Sequence, residues 1–233
     1  MTSPTVVLVP GAWHTPALYE PFVKSIPDID VRTVRLPSSG LDAAALGDMY
    51  SDAAEVRKVV ASIDGPVLVL AHSYGGVPVT EALDATTANV RRIVYAVAFM
   101  LDEGESMVST ATQGGRLPLP ATWSLNEGEK YVTMADPEPF FYGVEPALAR
   151  WAVDGLTFQS WASLVQPLTN VAWRAIPSTY VVADEERELP AAAQQLFAQR
   201  AGEERHIASG HSPFLSKPAD LAAILREELS RLG

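Results

Sequence analysis

Short apolar runs rich in β-branched residues recur along the chain, separated by stretches whose apolar positions fall three and four residues apart. Residues 5–9 read TVVLV and run straight into Pro10-Gly11; residues 31–36, 67–70, 92–99, 178–183 and 205–208 are runs of the same kind. Residues 67–70 lack polar alternation, which predicts a strand buried on both faces. Between these runs the spacing predicts helices over 17–26, 48–63, 74–84 and 190–201, and a last one opened by Ser216 and Pro218. In the helix over 48–63, Met49, Ala53, Val56, Val60 and Ile63 share one face; in the last, Leu221, Ile224, Leu225, Leu229 and Leu232 do. Strands alternating with helices mean βαβ units and a parallel sheet covered on both sides.

The alternation stops after Met100 and resumes at the run over 178–183. Residues 102–174 read as an irregular, mostly helical insertion, a cap placed between a first core part (1–101) and a second (175–233). Aromatic residues concentrate there: Trp123, Tyr131, Phe140, Phe141, Tyr142, Trp151, Phe158, Trp161 and Trp173. They either pack the insertion or line a pocket. The expected fold class is α/β, a mostly parallel sheet of about six strands with helices on both faces and a helical cap insertion.

Composition narrows the function. The 233 residues suit one domain with its cap. The absence of cysteine excludes a disulfide framework, a thiolate nucleophile and thiolate-bound metal. A net charge of −11 disfavours nucleic acid and anionic membrane surfaces as partners. Residues 1–9 have no basic region ahead of their apolar run, and the longest apolar run, 93–101, is far short of the ~20 residues of a membrane helix. These features set the expectation of a cytoplasmic protein. Monomer and homodimer are both open.

The candidate chemistry begins at residues 67–77, VLVLAHSYGGV. A buried strand, a Ser flanked at two residues by small Ala71 and Gly75, and a following helix make the pattern of a nucleophile elbow. Ser73 is the expected nucleophile. His211, in Ser209-Gly210-His211-Ser212-Pro213, sits between the last strand and the last helix, where a loop can bring a base to the ends of the sheet. His72 reads as a packed, hydrogen-bonded residue and His206 as structural. The acid that orients the base belongs to the run Asp184-Glu185-Glu186 after the strand over 178–183, and position alone does not separate Asp184 from Glu186. Asp102 is a third carboxylate, better read as a turn or cap residue. The amides of Tyr74 and of Ala12, in Pro10-Gly11-Ala12-Trp13, are the expected oxyanion donors. Trp13, His14, Trp123, Phe140, Phe141 and Trp161 are the candidate pocket residues.

VVLVPGAW, VLVLAHSYGG, IPSTYVVADEERELP and ASGHSPFLSKP together resemble the landmarks of small cofactor-free α/β-hydrolases, in particular bacterial esterase-like relatives of plant methylesterases and hydroxynitrile lyases. The resemblance spans nearly the whole chain and is weakest over the insertion. It implies a triad in the order Ser73, acid, His211, with no metal or cofactor. In that family the acid lies in a pattern like D-R-x-[IL]-P, which Glu186 to Pro190 occupies here. The resemblance therefore favours Glu186, with Asp184 second. Pro10 stands where many relatives have His. The lyases of the branch carry Thr in the oxyanion loop and Lys after the catalytic His, whereas this chain has Gly11 and Ser212. The implied activity is hydrolysis of a small, mostly apolar ester through an acyl-enzyme. Thioester or lactone hydrolysis, C–C or C–CN lyase chemistry and a slowly turning-over ligand receptor are the alternatives.

Overall fold

The computed structural model describes residues 3–116, 118–126, 128 and 130–232. Met1, Thr2 and Gly233, which belong to the outer segment boundaries read from sequence, lie outside the described residues. In chain order the first part holds β1 (Thr5–Val9), α1 (Glu20–Ser25), β2 (Asp30–Thr33), β3 (Ser39–Gly40), α2 (Met49–Ala61), β4 (Val67–His72), α3 (Gly76–Ala82) and β5 (Val90–Ala96). The segment 102–174 holds α4 (Met107–Ala111), β6 (Trp123–Leu125), β7 (Tyr131–Met134), α5 (Pro146–Asp154), β8 (Phe158–Ser160) and α6 (Trp161–Val165). The last part holds β9 (Ser178–Ala183), α7 (Ala191–Arg200), β10 (Glu203–Ile207), α8 (Pro213–Ser216) and α9 (Pro218–Ser230).

Six strands form a parallel sheet in the order β10-β9-β5-β4-β1-β2. The order explains the sequence pattern. β1 and β4 are buried at every position, as their unbroken apolar runs require, whereas β2 and β10 at the two edges alternate between more and less exposed positions. The order also reverses direction between β1 and β4, because the chain steps outward to β2 before crossing to β4 on the other side. Such a reversal leaves a crevice at the C-terminal ends of the central strands. Helix α2 starts cleanly because Asp48 and Ser51 cap it reciprocally: the Ser51 amide donates to Asp48 and the Asp48 amide donates to Ser51.

The segment 102–174 is not purely helical. Three of its pieces, β6, β7 and β8, join β3 in an antiparallel sheet of order β3-β8-β7-β6. These strands span three or four residues each, too few for an alternation to show in sequence. Among the described residues no helix is long and apolar enough to cross a membrane.

Candidate active site

Ser73 follows β4 directly, with a left-handed φ of +52°. A serine there is strained, and the strain turns its hydroxyl out of the sheet. The small neighbours are a steric necessity. A Cβ on Gly75 would lie 2.4 Å from the Val9 carbonyl oxygen, and one on Gly76 would lie 2.2 Å from that of Phe99. The Phe99 amide also donates to the Ser73 carbonyl at 3.0 Å, pinning the turn to the chain after β5. Left-handed non-glycine residues among those described are Trp13, Ser73, Val97 and Gln113. The first three follow the ends of β1, β4 and β5, so backbone strain gathers around one crevice.

His211 lies between β10 and α8, almost fully buried. Its Nδ1 is 3.0 Å from Oε2 of Glu186 and its Nε2 is 2.9 Å from Oγ of Ser73. A carboxylate only accepts, so Nδ1 carries the proton and Nε2 is left to accept from the serine hydroxyl. The Glu186 side chain is 2% exposed and folds back on its own loop. Its Oε1 accepts from the amides of Arg187, Glu188 and Leu189 at 2.9, 2.6 and 3.0 Å. The extra methylene of Glu, relative to Asp, is what lets one oxygen seat in these amides while the other reaches His211. Burial alone would raise the Glu186 carboxyl; the His211 imidazole and these amides outweigh it and hold the group below its usual range. Burial alone would depress His211, but Glu186, with Glu188 further off, carries it above the ordinary histidine value.

Asp184 turns the other way. Its carboxylate meets Nδ1 of His206 at 2.7 Å, and Glu204 meets the other ring nitrogen at 2.8 Å. Asp102 caps its own turn through the Glu103 amide and pairs with Arg174. Neither carboxylate contacts His211.

His72 is a brace. Nε2 donates to the His211 carbonyl at 2.7 Å, and Nδ1 accepts from the Tyr19 hydroxyl at 2.7 Å, which itself accepts from the Gly11 amide at 3.0 Å. Burial holds His72 well below the usual histidine range, so it stays neutral. One chain of hydrogen bonds thus connects the loop after β1 to the loop that carries His211. His14 donates from Nδ1 to the Ala12 carbonyl at 2.6 Å, and burial depresses it to about 4. Among the described residues, neither the Ala12 nor the Tyr74 amide donates to a protein acceptor.

A second buried network lies behind the elbow. The Tyr74 hydroxyl donates to Asp52, which also accepts from the Ser38 amide and hydroxyl. Burial pushes the Asp52 carboxyl up to about 7. Gln159 of β8 accepts from the Trp13 amide at 3.1 Å and donates to Ser38 and Ser163. Sequence reading passed over Tyr19, Asp52 and Gln159, because nothing local distinguishes them from ordinary polar positions.

Ser73 and His211 open onto a cavity of about 590 Å³, whose wall includes Trp123 and Phe140. The remaining candidate pocket residues do not line it. Trp13 is fully buried behind the wall, edge-on to Trp123 and Phe140, with its indole nitrogen donating to the Val132 carbonyl. His14 is enclosed among Tyr19, His72, Phe141 and Phe214. Phe141 faces a separate open groove on the 102–174 segment, and Trp161 begins α6, away from the cavity wall. Large aromatics near a site are as readily its foundation as its lining.

Comparison with known proteins matches this architecture. A model of the alpha/beta hydrolase family matches residues 6–224. The protein named Alpha/beta hydrolase nvfD from Aspergillus novofumigatus is 26% identical over 243 residues, covering 97% of this chain and 96% of that protein. Among solved structures, a pyrethroid hydrolase from Sphingobium faniae JZ-2 superposes with a TM-score of 0.79 at 20% identity, covering 98% of each chain. Polyneuridine aldehyde esterase does so with a TM-score of 0.79 at 18% identity, covering 97% of this chain and 99% of that one.

Proposed function

We propose, from the premise that this chain belongs to the alpha/beta hydrolase family, that it is a serine esterase acting on a small, largely apolar carboxylic ester. The observation that carries this reading is the buried line from Glu186 through His211 to Ser73, at 3.0 and 2.9 Å, opening onto an apolar cavity. The names of the relatives, hydrolase and esterase, support the same class.

In this reading Ser73 Oγ attacks the ester carbonyl as His211 Nε2 takes its proton. Negative charge grows on the carbonyl oxygen, and the Ala12 and Tyr74 amides stabilise it. The C–O bond breaks, the alcohol leaves with the proton from His211, and the acyl group stays on Ser73. Water then gives a proton to His211 and attacks the acyl carbon; the acid departs and Ser73 recovers its proton. Glu186 stays ionised throughout, orienting the ring and stabilising the imidazolium.

The test is hydrolysis of p-nitrophenyl esters of rising acyl length by the wild type and Ser73→Ala. The wild type turns them over, and the variant loses at least ~10³-fold in kcat. A variant within tenfold of the wild type overturns the reading.

A further inference from the structure

The cavity wall is apolar at Phe99, Leu119, Trp123, Phe140 and Leu196, yet one carboxylate, Glu188, stands in it. It is the single acidic lining residue among those described. Its Oε1 accepts from the Thr122 hydroxyl at 2.9 Å and the Trp123 indole nitrogen at 3.1 Å. Both donors converge on that one oxygen, and no described protein donor reaches Oε2. Glu188 does not hydrogen-bond His211, whose Nδ1 faces Glu186, and acts on the imidazole only through its charge. With Oε1 held from one side and Oε2 neither enclosed nor reached by a described protein donor, the second oxygen is left open to a donor carried by whatever enters the cavity.

We infer that Glu188 is a specificity-determining residue: its free oxygen receives a hydrogen bond from a hydroxyl or ammonium group carried by an otherwise apolar ester. This deepens the esterase reading and rests on it. The two donors on Oε1 fix the carboxylate plane, so Oε2 presents a defined acceptor rather than a mobile one. The same oxygen repels a substrate carboxylate. Burial raises the carboxyl, which is the cost that a donor on the substrate relieves.

The experiment compares p-nitrophenyl esters with six- and eight-carbon acyl chains ending in methyl, hydroxyl, ammonium or carboxylate. The wild type is expected to prefer the better hydroxyl- or ammonium-ended ester over its methyl-ended partner by ~10- to 100-fold in kcat/KM, as a hydrogen bond to a charged group allows. In Glu188→Leu that ratio falls to one or below. Glu188→Gln keeps the shape but not the charge, and loses discrimination against the carboxylate. Each ratio is taken within one variant, so a reduced folded fraction does not disturb it. A wild-type ratio within twofold of the Glu188→Leu ratio overturns the inference. If no ester is hydrolysed, the esterase reading fails separately, and calorimetry with 2-octanone and 8-hydroxy-2-octanone decides on Glu188. Tighter binding of the hydroxyketone, lost in Glu188→Leu, supports its role; equal binding overturns it.

Discussion

Asp184 with His206 and Glu186 with His211 are the same chemical pair, built twice from the loops and strand ends beside β9 and β10. The outer pair is the shorter, 2.7 Å against 3.0 Å. Distance therefore does not separate a structural pair from the pair proposed to react. Surroundings do. The side chains of the outer pair are 56% and 48% exposed, where water and salt screen the charge, while those of the inner pair are 1% and 2% exposed. The second ring nitrogen differs as well. In His206 it is occupied by Glu204; in His211 it faces the Ser73 hydroxyl. A histidine held between two carboxylates has no nitrogen left to serve as a base.

The contrast breaks most sharply through rate. Glu186→Gln is expected to lower kcat/KM by ~10³- to 10⁴-fold, while Asp184→Asn stays within twofold of the wild type. Equal losses would show that the outer pair also matters to the chemistry. Next in size is the elbow, which positions Ser73 for the inner pair alone. Gly76→Ala drives a methyl group against the Phe99 carbonyl and should cost ~1–3 kcal/mol, read as a lowered denaturation midpoint. The His206 resonances should keep their titration in that variant. A third test is pH. His211 must be neutral to accept a proton, and its pKa lies above 6.5, so kcat/KM should fall on the acid side with a midpoint above 6.5. Loss of the Glu186 charge should move that midpoint downward; an unmoved limb would detach the carboxylate from the base. The smallest effect belongs to the outer pair. The Asp184 hydrogen bond raises the His206 pKa, so its contribution to stability is full below the unfolded value near 6.5 and disappears as pH rises through the folded value. His206→Ala should therefore destabilise by at most ~1 kcal/mol at pH 5.5 and by nothing measurable at pH 9, compared by urea unfolding at both pH values.

The strands were legible because the central ones are buried on both faces and so leave unbroken runs; the run over 178–183 coincides with β9 to the residue. The run over 92–99 starts two residues late and ends three late: the strand spans Val90–Ala96 and stops where Val97 turns left-handed, a torsional feature that composition does not encode. Ser73 and His211 stood out through small neighbours and place in the chain. Glu186 did not stand out from Asp184 by position, because both follow the same strand. Asp184 is drawn to His206 because its own amide continues the pairing with β10 at the Ile207 carbonyl. The resemblance pointed to Glu186, and the amides that seat it are visible only in three dimensions. The segment 102–174 was least legible: its strands are too short to show a period, and Phe141 and Trp161 there, like Trp13 after β1, are ambiguous by type alone.

The small antiparallel sheet takes its outer strand from Ser39–Gly40, far upstream of its other three members. Domain-shuffling experiments must respect that loan. A segment 102–174 grafted onto a foreign scaffold would arrive with the β8 side of its sheet open, and with Gln159 stripped of its partners at Trp13 and Ser38. Recombination between relatives is best cut so that residues 38–40 travel with the segment 102–174, which makes the transplantable unit discontinuous in the gene though contiguous in space.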